Sequence, residues 1–387
     1  MGTKEKVEDL IKKIAAEYEL TDPKVVCEQV FNGNNFTTDI FNVKITAKEV
    51  ELKLFAKIGT MSEELRLSID HDYIYRAERY VYNELAKTYN GLLDKHKVPD
   101  NYRVKFPKYY ASRHKYGEEI IVLEDLVDAG YGSFDRFNSL NWEQASRCVE
   151  MLANFHAMSF SYEREDKLAF EDTVKKLMFY TMIKSPEVQK ATGMTVKNAL
   201  LLLREEDRQR VRTALEDTGN KFCNYSMPLE KPVLVHGDYR PCNIMQKVEN
   251  GVTMPVPVDF QTVHLGCAAN DLVYFAFTAT DQKFRKDHLD ALVDHYYTHL
   301  GQTLKRLGML INDVYPRETF DLEFRSMLPV ALLSSVLVLP VICLENEDFG
   351  PSLAIMVDGE VPPVKLNDRY RERFLGVVED CIRMGAI

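Results

Sequence analysis

The sequence predicts an α+β protein of two lobes, a small β-rich one followed by a large, mainly helical one. Three observations carry this reading. Apolar residues alternate along 41–58, which is strand periodicity, and helical spacing takes over from Trp142. Between the later helices stands a strand–turn–strand unit, 233–260, with a polar motif of its own. At 387 residues the chain exceeds one average domain, and the expected division is into residues 1–125 and 126–387.

The elements follow in order. Val7, Leu10, Ile11, Ile14 and Ala15 recur at helical spacing and place a helix in the first twenty residues, capping the small lobe. Residues 31–38 read as a polar turn between strands. Phe41, Val43 and Ile45 alternate, and after a turn at 46–49 so do Leu52, Leu54, Ala56 and Ile58, forming a β-meander. Lys57 falls on the face opposite Leu54 and Ala56. A long helix over 72–89 carries Glu78 and Glu84, and 104–106 and 119–124 read as two further strands. Helices are then expected over 143–161, 167–184, 195–218, 269–280, 283–308, 317–344 and 367–384.

The uncharged run 327–344 has the length of a membrane span, but Pro329 and Pro340 interrupt it and no Lys/Arg cluster follows. A buried helix is expected there, with no membrane span. Phe179, Tyr180, Phe275, Phe277, Tyr296 and Tyr297, at helical spacing, read first as core.

Composition narrows the function. A net charge of −10 lacks the basic footprint of a nonspecific nucleic-acid binder, so no nucleic-acid partner is expected. Any anionic ligand must meet a local group of cations or a metal. Seven scattered cysteines without a C-x-x-C pair point to reduced thiols and a cytoplasmic protein. The charged N-terminus has no apolar segment of the signal-peptide kind.

The chemistry concentrates in His236-Gly237-Asp238-Tyr239-Arg240-Pro241-Cys242-Asn243, followed sixteen residues later by Asp259-Phe260-Gln261. Two carboxylates and an amide at this spacing suit phosphoryl transfer from ATP: one acid orients the attacking hydroxyl, while an amide oxygen and a second acid hold Mg²⁺. Val233–Val235 and 244–248 read as strands, and Asn250-Gly251 as a hairpin turn. Val256, Val258 and Phe260 alternate on a returning strand that presents Asp259. Asp238 is thus the candidate base, with Asn243 and Asp259 as the metal ligands.

The rest of such a site needs a phosphate loop, a strand lysine and a helix acid. Gly33 and Asn34, within 33–38, are candidates for the loop, and Lys57 for the lysine. Glu78 and Glu84 compete as its partner, and the spacing Glu78-x-x-x-Tyr82 favours Glu78. Arg240, two residues beyond Asp238, is placed to neutralise charge on the transferring phosphoryl group or to bridge nearby acids. His236 is expected to support the loop, and His156 to be a satisfied core residue. A zinc hydrolase would want a third convergent ligand, and the spacing supplies none.

These motifs, with 54–57, 122–126, 153–157 and Asp271-Leu-Val-Tyr-Phe, resemble the ecdysteroid kinase-like (CHK kinase-like) family, related to aminoglycoside and choline phosphotransferases. The resemblance runs over nearly the whole chain and implies a protein-kinase-like fold with ATP and Mg²⁺ as cofactors. It further implies that Lys57 and Glu78 orient ATP, that Glu124 to Leu126 form the hinge receiving adenine, and that Asp271 braces the catalytic loop. Arg240 and Cys242 depart from the family's usual Trp and Asn, which leaves metal binding intact and bears on the acceptor. The eleven residues between Asp259 and Asp271 leave no room for a long activation segment, so a small-molecule alcohol is the expected acceptor. An ecdysteroid is the sharper expectation. Detoxification of dietary or xenobiotic alcohols or glycosides, or a catalytically inactive nucleotide-binding scaffold, are the alternatives.

Overall fold

The computed structural model describes residues 3–30, 38–48, 50–60, 63, 66, 71–178, 186–220, 230–345 and 366–387. Its architecture is the expected bilobal α+β fold. Strands β1 (Lys24–Val30), β2 (Thr38–Ala47), β3 (Val50–Gly59), β4 (Tyr109–Arg113) and β5 (Ile120–Glu124) form one antiparallel sheet in the order β1-β2-β3-β5-β4. Alternation splits its faces. Phe41, Val43, Ile45, Leu54, Ala56, Ile58 and Val122 join Val7, Leu10, Ile11 and Ile14 of helix α1 (Thr3–Glu17) in one small core. Ile121 and Leu123, on the other face, belong to the main core.

Lys57 shares that second face with helix α2 (His71–Tyr80), which continues through a π-helical turn (Val81–Leu85) into α3 (Ala86–Lys95). One correction concerns the strand expected at 104–106, which is irregular; the strand begins at Tyr109. Pro107 lacks the N–H that a ladder position there would need.

The large lobe is built around α4 (Trp142–Glu165), buried through most of its length and opened by a reciprocal cap between Asn141 and Gln144. Next come α5 (Lys167–Lys176), α6 (Pro186–Leu200) and α7 (Glu205–Asn220). The helix expected over 167–184 therefore ends at Lys176, and the one expected over 195–218 is two. Phe179 and Tyr180 lie outside the described residues. Short strand β6 (Gly132–Ser133) edges the hairpin of β8 (Ile244–Glu249) and β9 (Val252–Pro257). Asn250 and Gly251 both adopt positive φ, 53° and 77°, as a two-residue turn of this hand requires. Strand β7 (Pro232–Val235) pairs antiparallel with β10 (His264–Cys267).

Helices α8 (Ala268–Ala279), α9 (Gln282–Arg306), α10 (Ile311–Val314), α11 (Arg317–Leu337), α12 (Leu339–Cys343) and α13 (Asp368–Arg383) complete the lobe. Phe275, Phe277 and Tyr296 are core residues, while Tyr297 is half-buried. The run expected as one helix over 317–344 breaks after Leu337. Among the described residues, no helix is long and apolar enough to cross a membrane. The six described cysteines are free.

Candidate active site

Strand β7 delivers the His-Gly-Asp turn, and the turn demands glycine. Gly237 has φ +80°, and a Cβ there would come within 2.5 Å of the Thr262 carbonyl oxygen. His236 is spent on support. Its Nε2 meets the Val258 carbonyl at 3.0 Å, and its Nδ1 receives the Asp238 N–H at 3.3 Å, so one neutral tautomer serves both. From the first turn of α8, Asp271 accepts the backbone N–H groups of His236 (2.6 Å) and Gly237 (3.0 Å). His156 lies 3.3 Å from Asp271 and 2.7 Å from the Tyr296 hydroxyl, and is the satisfied core histidine the sequence suggested. Burial works against the Asp271 charge, yet His156 and the backbone donors hold its carboxyl below the usual range.

The Asp238 carboxylate is bonded on both oxygens. Oδ1 accepts from Arg240 Nε at 2.9 Å and from the Tyr274 hydroxyl at 2.5 Å, while Oδ2 accepts from Asn243 Nδ2 at 2.7 Å. The same Asn243 amide also donates to the Asp238 carbonyl, at 2.9 Å. With both N–H groups so engaged, the Asn243 Oδ1 is left as an acceptor. Arg240 is thus paired with a single acid, Asp238, which outweighs the opposing effect of burial and holds the guanidinium charge firmly.

Across the lobes, Lys57 Nζ sits 2.9 Å from Glu78 Oε2 and 2.6 Å from Asp259 Oδ1. Lys57 and Glu78 are buried, yet the Asp259 side chain keeps 33% of its surface open. Burial alone would drive the lysine pKa down, but Asp259 and Glu78 together carry it above the ordinary value. Burial likewise opposes the Asp259 charge, and Lys57 pulls its carboxyl below the usual range. The competition between Glu78 and Glu84 is thereby decided. Glu84 is exposed and accepts from Asn83 at 2.6 Å.

Asn243 and Asp259 end the two arms of the hairpin as expected, tied by the Val258 N–H to the Asn243 carbonyl at 2.9 Å. Asp259 itself differs from expectation. Strand β9 stops at Pro257, and Asp259 is left-handed (φ 66°, ψ 57°) before a 3₁₀ turn, Phe260–Thr262. An aspartate tolerates this region better than most side chains. Its N–H donates to the Tyr82 hydroxyl at 3.2 Å, and the Phe260 ring packs edge-on to Tyr82 at 5.6 Å between centroids.

Glu124 and Leu126 close β5 in a bonded turn. Glu124 exchanges hydrogen bonds with Lys108, at 2.8 Å through its N–H and 3.2 Å through its carboxylate, and the Leu126 carbonyl accepts from Tyr131 at 2.9 Å. Both residues border a cavity of about 380 Å³ together with Phe106, Tyr131 and Val256. Gly33 and Asn34 lie outside the described residues. Among the described residues, no three His, Cys, Asp or Glu side chains converge as a metal cage. The donor set Asn243–Asp259 instead suits Mg²⁺, which takes one or two protein oxygens and fills its sphere with water and phosphate.

Two contacts escaped the sequence reading. Tyr274 was only part of a matching run, and the Tyr82 hydroxyl had no assigned partner. A signal for the first does exist: Tyr274 stands three residues after Asp271, on the same helix face.

A small antiparallel sheet with helices on both faces, a large helical lobe, and a lysine–acid–acid contact where they meet define a protein of kinase-like architecture. The chain belongs to the ecdysteroid kinase-like family, which it matches over residues 32–309. No curated protein matches it at a significant level. Among solved structures it is similar to a spectinomycin phosphotransferase in complex with ADP and spectinomycin (13% identity, 98% of each chain covered, TM-score 0.48). It is also similar to the choline kinase of Cryptosporidium parvum Iowa II (14%, 98% of each chain, TM-score 0.49) and to an ethanolamine kinase of Plasmodium vivax (13%, 95% of this chain and 85% of that one, TM-score 0.46). At these identities the likenesses say nothing about substrate.

Proposed function

We propose that this protein is an ATP- and Mg²⁺-dependent phosphotransferase acting on a hydroxyl group of a small organic molecule. Family membership supports the class of reaction, and the observation that carries it to named residues is the pairing of Lys57 with both Glu78 and Asp259 beside Asp238. In this reading residues 1–125 hold the nucleotide and 126–387 hold the acceptor. Lys57, fixed by Glu78, orients the phosphates, with Gly33 and Asn34 in the covering loop and the backbone of Glu124 and Leu126 facing adenine. Asn243 Oδ1 and the Asp259 carboxylate would hold Mg²⁺, which supplies charge neutralisation at the transferring phosphoryl group.

Asp238 accepts the hydrogen bond of the attacking hydroxyl and takes its proton as the new O–P bond forms and ADP leaves. Arg240, beside it, contributes positive charge where negative charge grows. Within this class an ecdysteroid is the acceptor we favour, on the family's own description. The test is a screen of ATP consumption against ecdysteroids, plant glycosides and choline, read by mass spectrometry for a phosphate adduct. An adduct on an ecdysteroid is expected, and Asp238→Ala should abolish it while ATP still binds. Equal turnover by that variant would remove Asp238 from its role; ATP binding with no adduct on any alcohol would count against the reaction itself.

A further inference from the structure

We propose that Tyr274 is a positioning residue that fixes the Asp238 carboxylate and decides which of its oxygens receives the acceptor hydroxyl. This inference rests on the phosphotransferase reading above. An ionised carboxylate offers about four lone-pair sites, two on each oxygen. Arg240 Nε and the Tyr274 hydroxyl fill those of Oδ1, at 2.9 and 2.5 Å, and Asn243 Nδ2 takes one on Oδ2, at 2.7 Å. A single site remains, on Oδ2. The acceptor's hydroxyl therefore meets Asp238 there, next to Asn243 and on the side of the hairpin that ends in Asp259.

Tyr274 is suited to this task for three reasons. Its hydroxyl is a constant donor, because burial and the neighbouring Asp238 push its pKa well above the ordinary value and it does not ionise in the working range. It rides on α8, the helix that also brings Asp271 to the loop. Positions 271 and 274 are one turn apart, so one helix face grips the loop twice: Asp271 at the backbone of His236 and Gly237, Tyr274 at the side chain of Asp238. Finally, α8 is held from behind by the main core, with Leu272, Val273, Phe275 and Ala276 all buried, so the donor has little freedom to retreat. Arg240 on Oδ1 and Asn243 on Oδ2 resist rotation about Cβ–Cγ but leave the second site of Oδ1 open. With Tyr274 on that site, Oδ1 is closed to the acceptor and three donors hold the plane.

The test is Tyr274→Phe in the full chain, which removes one hydroxyl and keeps the ring. Magnesium-dependent ATP hydrolysis without added alcohol, water serving as acceptor, gives the kinetic readout. The expected result is a kcat lower by roughly ten- to a hundredfold, the range of a lost hydrogen bond to a charged group, with KM for ATP and the unfolding temperature little changed. A crystal structure of the variant supplies the second readout, in which the Asp238 carboxylate should be turned from its wild-type plane. An unchanged kcat, or a loss confined to KM, overturns the proposal. A wild-type protein that binds ATP but transfers phosphate neither to water nor to any alcohol of the screen speaks against the phosphotransferase reading instead. In that event the orientation of Asp238 in the two crystal structures still decides the role of Tyr274.

Discussion

The two halves of the candidate site are held in different ways. The Lys57–Glu78–Asp259 contact joins a strand, a helix and a hairpin end, with Lys57 and Asp259 separated by 202 positions. It exists only while the lobes keep their relation. The Asp238 cluster lies inside the large lobe, built from one loop of six residues and one helix that braces it. The first half is a joint between lobes, and the second a rigid fixture within one. Perturbing the joint should be felt in nucleotide binding, and perturbing the fixture in the rate of transfer.

The sharpest way to break this comparison is Asp259→Ala. It removes a proposed metal ligand and leaves buried Lys57 with one acid in place of two. Binding of Mg·ATP should weaken by about two orders of magnitude, on the scale expected when a buried, hydrogen-bonded charge pair loses one member. Calorimetric titration of ATP with and without Mg²⁺ is the check, and an unaltered magnesium dependence would return Asp259 to a purely structural role. Arg240→Ala comes next and acts on the fixture. Its kcat should fall by roughly 10- to 100-fold with a smaller rise in KM for ATP. A change in KM alone would place Arg240 in ground-state binding.

The smallest effect separates the lobes by pH. His71 in the small lobe is lowered to about 4 by burial and by Arg66, and His299 in the large lobe to about 4 chiefly by burial. Both sit below the ordinary value of 6.5, so the unfolded chain takes up these protons first. The stability they contribute is complete above pH 6.5 and is lost progressively as pH falls towards 4, by about 1.4 kcal/mol per pH unit for each. Urea unfolding at pH 7, 6 and 5 measures the slope. It should flatten in His71→Gln and again in His299→Gln, and an equally steep slope in either variant would mean that the histidine concerned is protonated in the fold.

Much of this arrangement was legible in the chain. The meander of β2 and β3 follows from strict alternation, which also placed Lys57 on the face opposite the small core. The Asp238 loop and the hairpin were visible because their pattern is local: Asp238, Asn243 and Asp259 come within 22 positions, and Asn250-Gly251 can hardly be anything but a turn. Where the reading failed, a competing local rule prevailed. The strand at 104–106 had the right apolar pattern, but Pro107 denies it a ladder. The alternation read on to Phe260 does not carry through in burial, since Pro255, Val256 and Pro257 are all buried and Val258 is half-buried; the backbone leaves the strand at Pro257 and Asp259 turns into the left-handed region.

By itself, then, the sequence determined the fold class, the family resemblance and which residues to propose as reacting groups, because periodicity and short motifs depend on neighbours along the chain. Only the tertiary structure decided between Glu78 and Glu84, set Arg240 on Asp238, and brought the Tyr82 and Tyr274 hydroxyls to the two carboxylate-bearing residues. The longest of those contacts, Tyr82 to Asp259, joins residues 177 positions apart. No spacing rule reaches that far, since which side chains meet depends on how the sheet, the π-turned helix and α8 pack against one another.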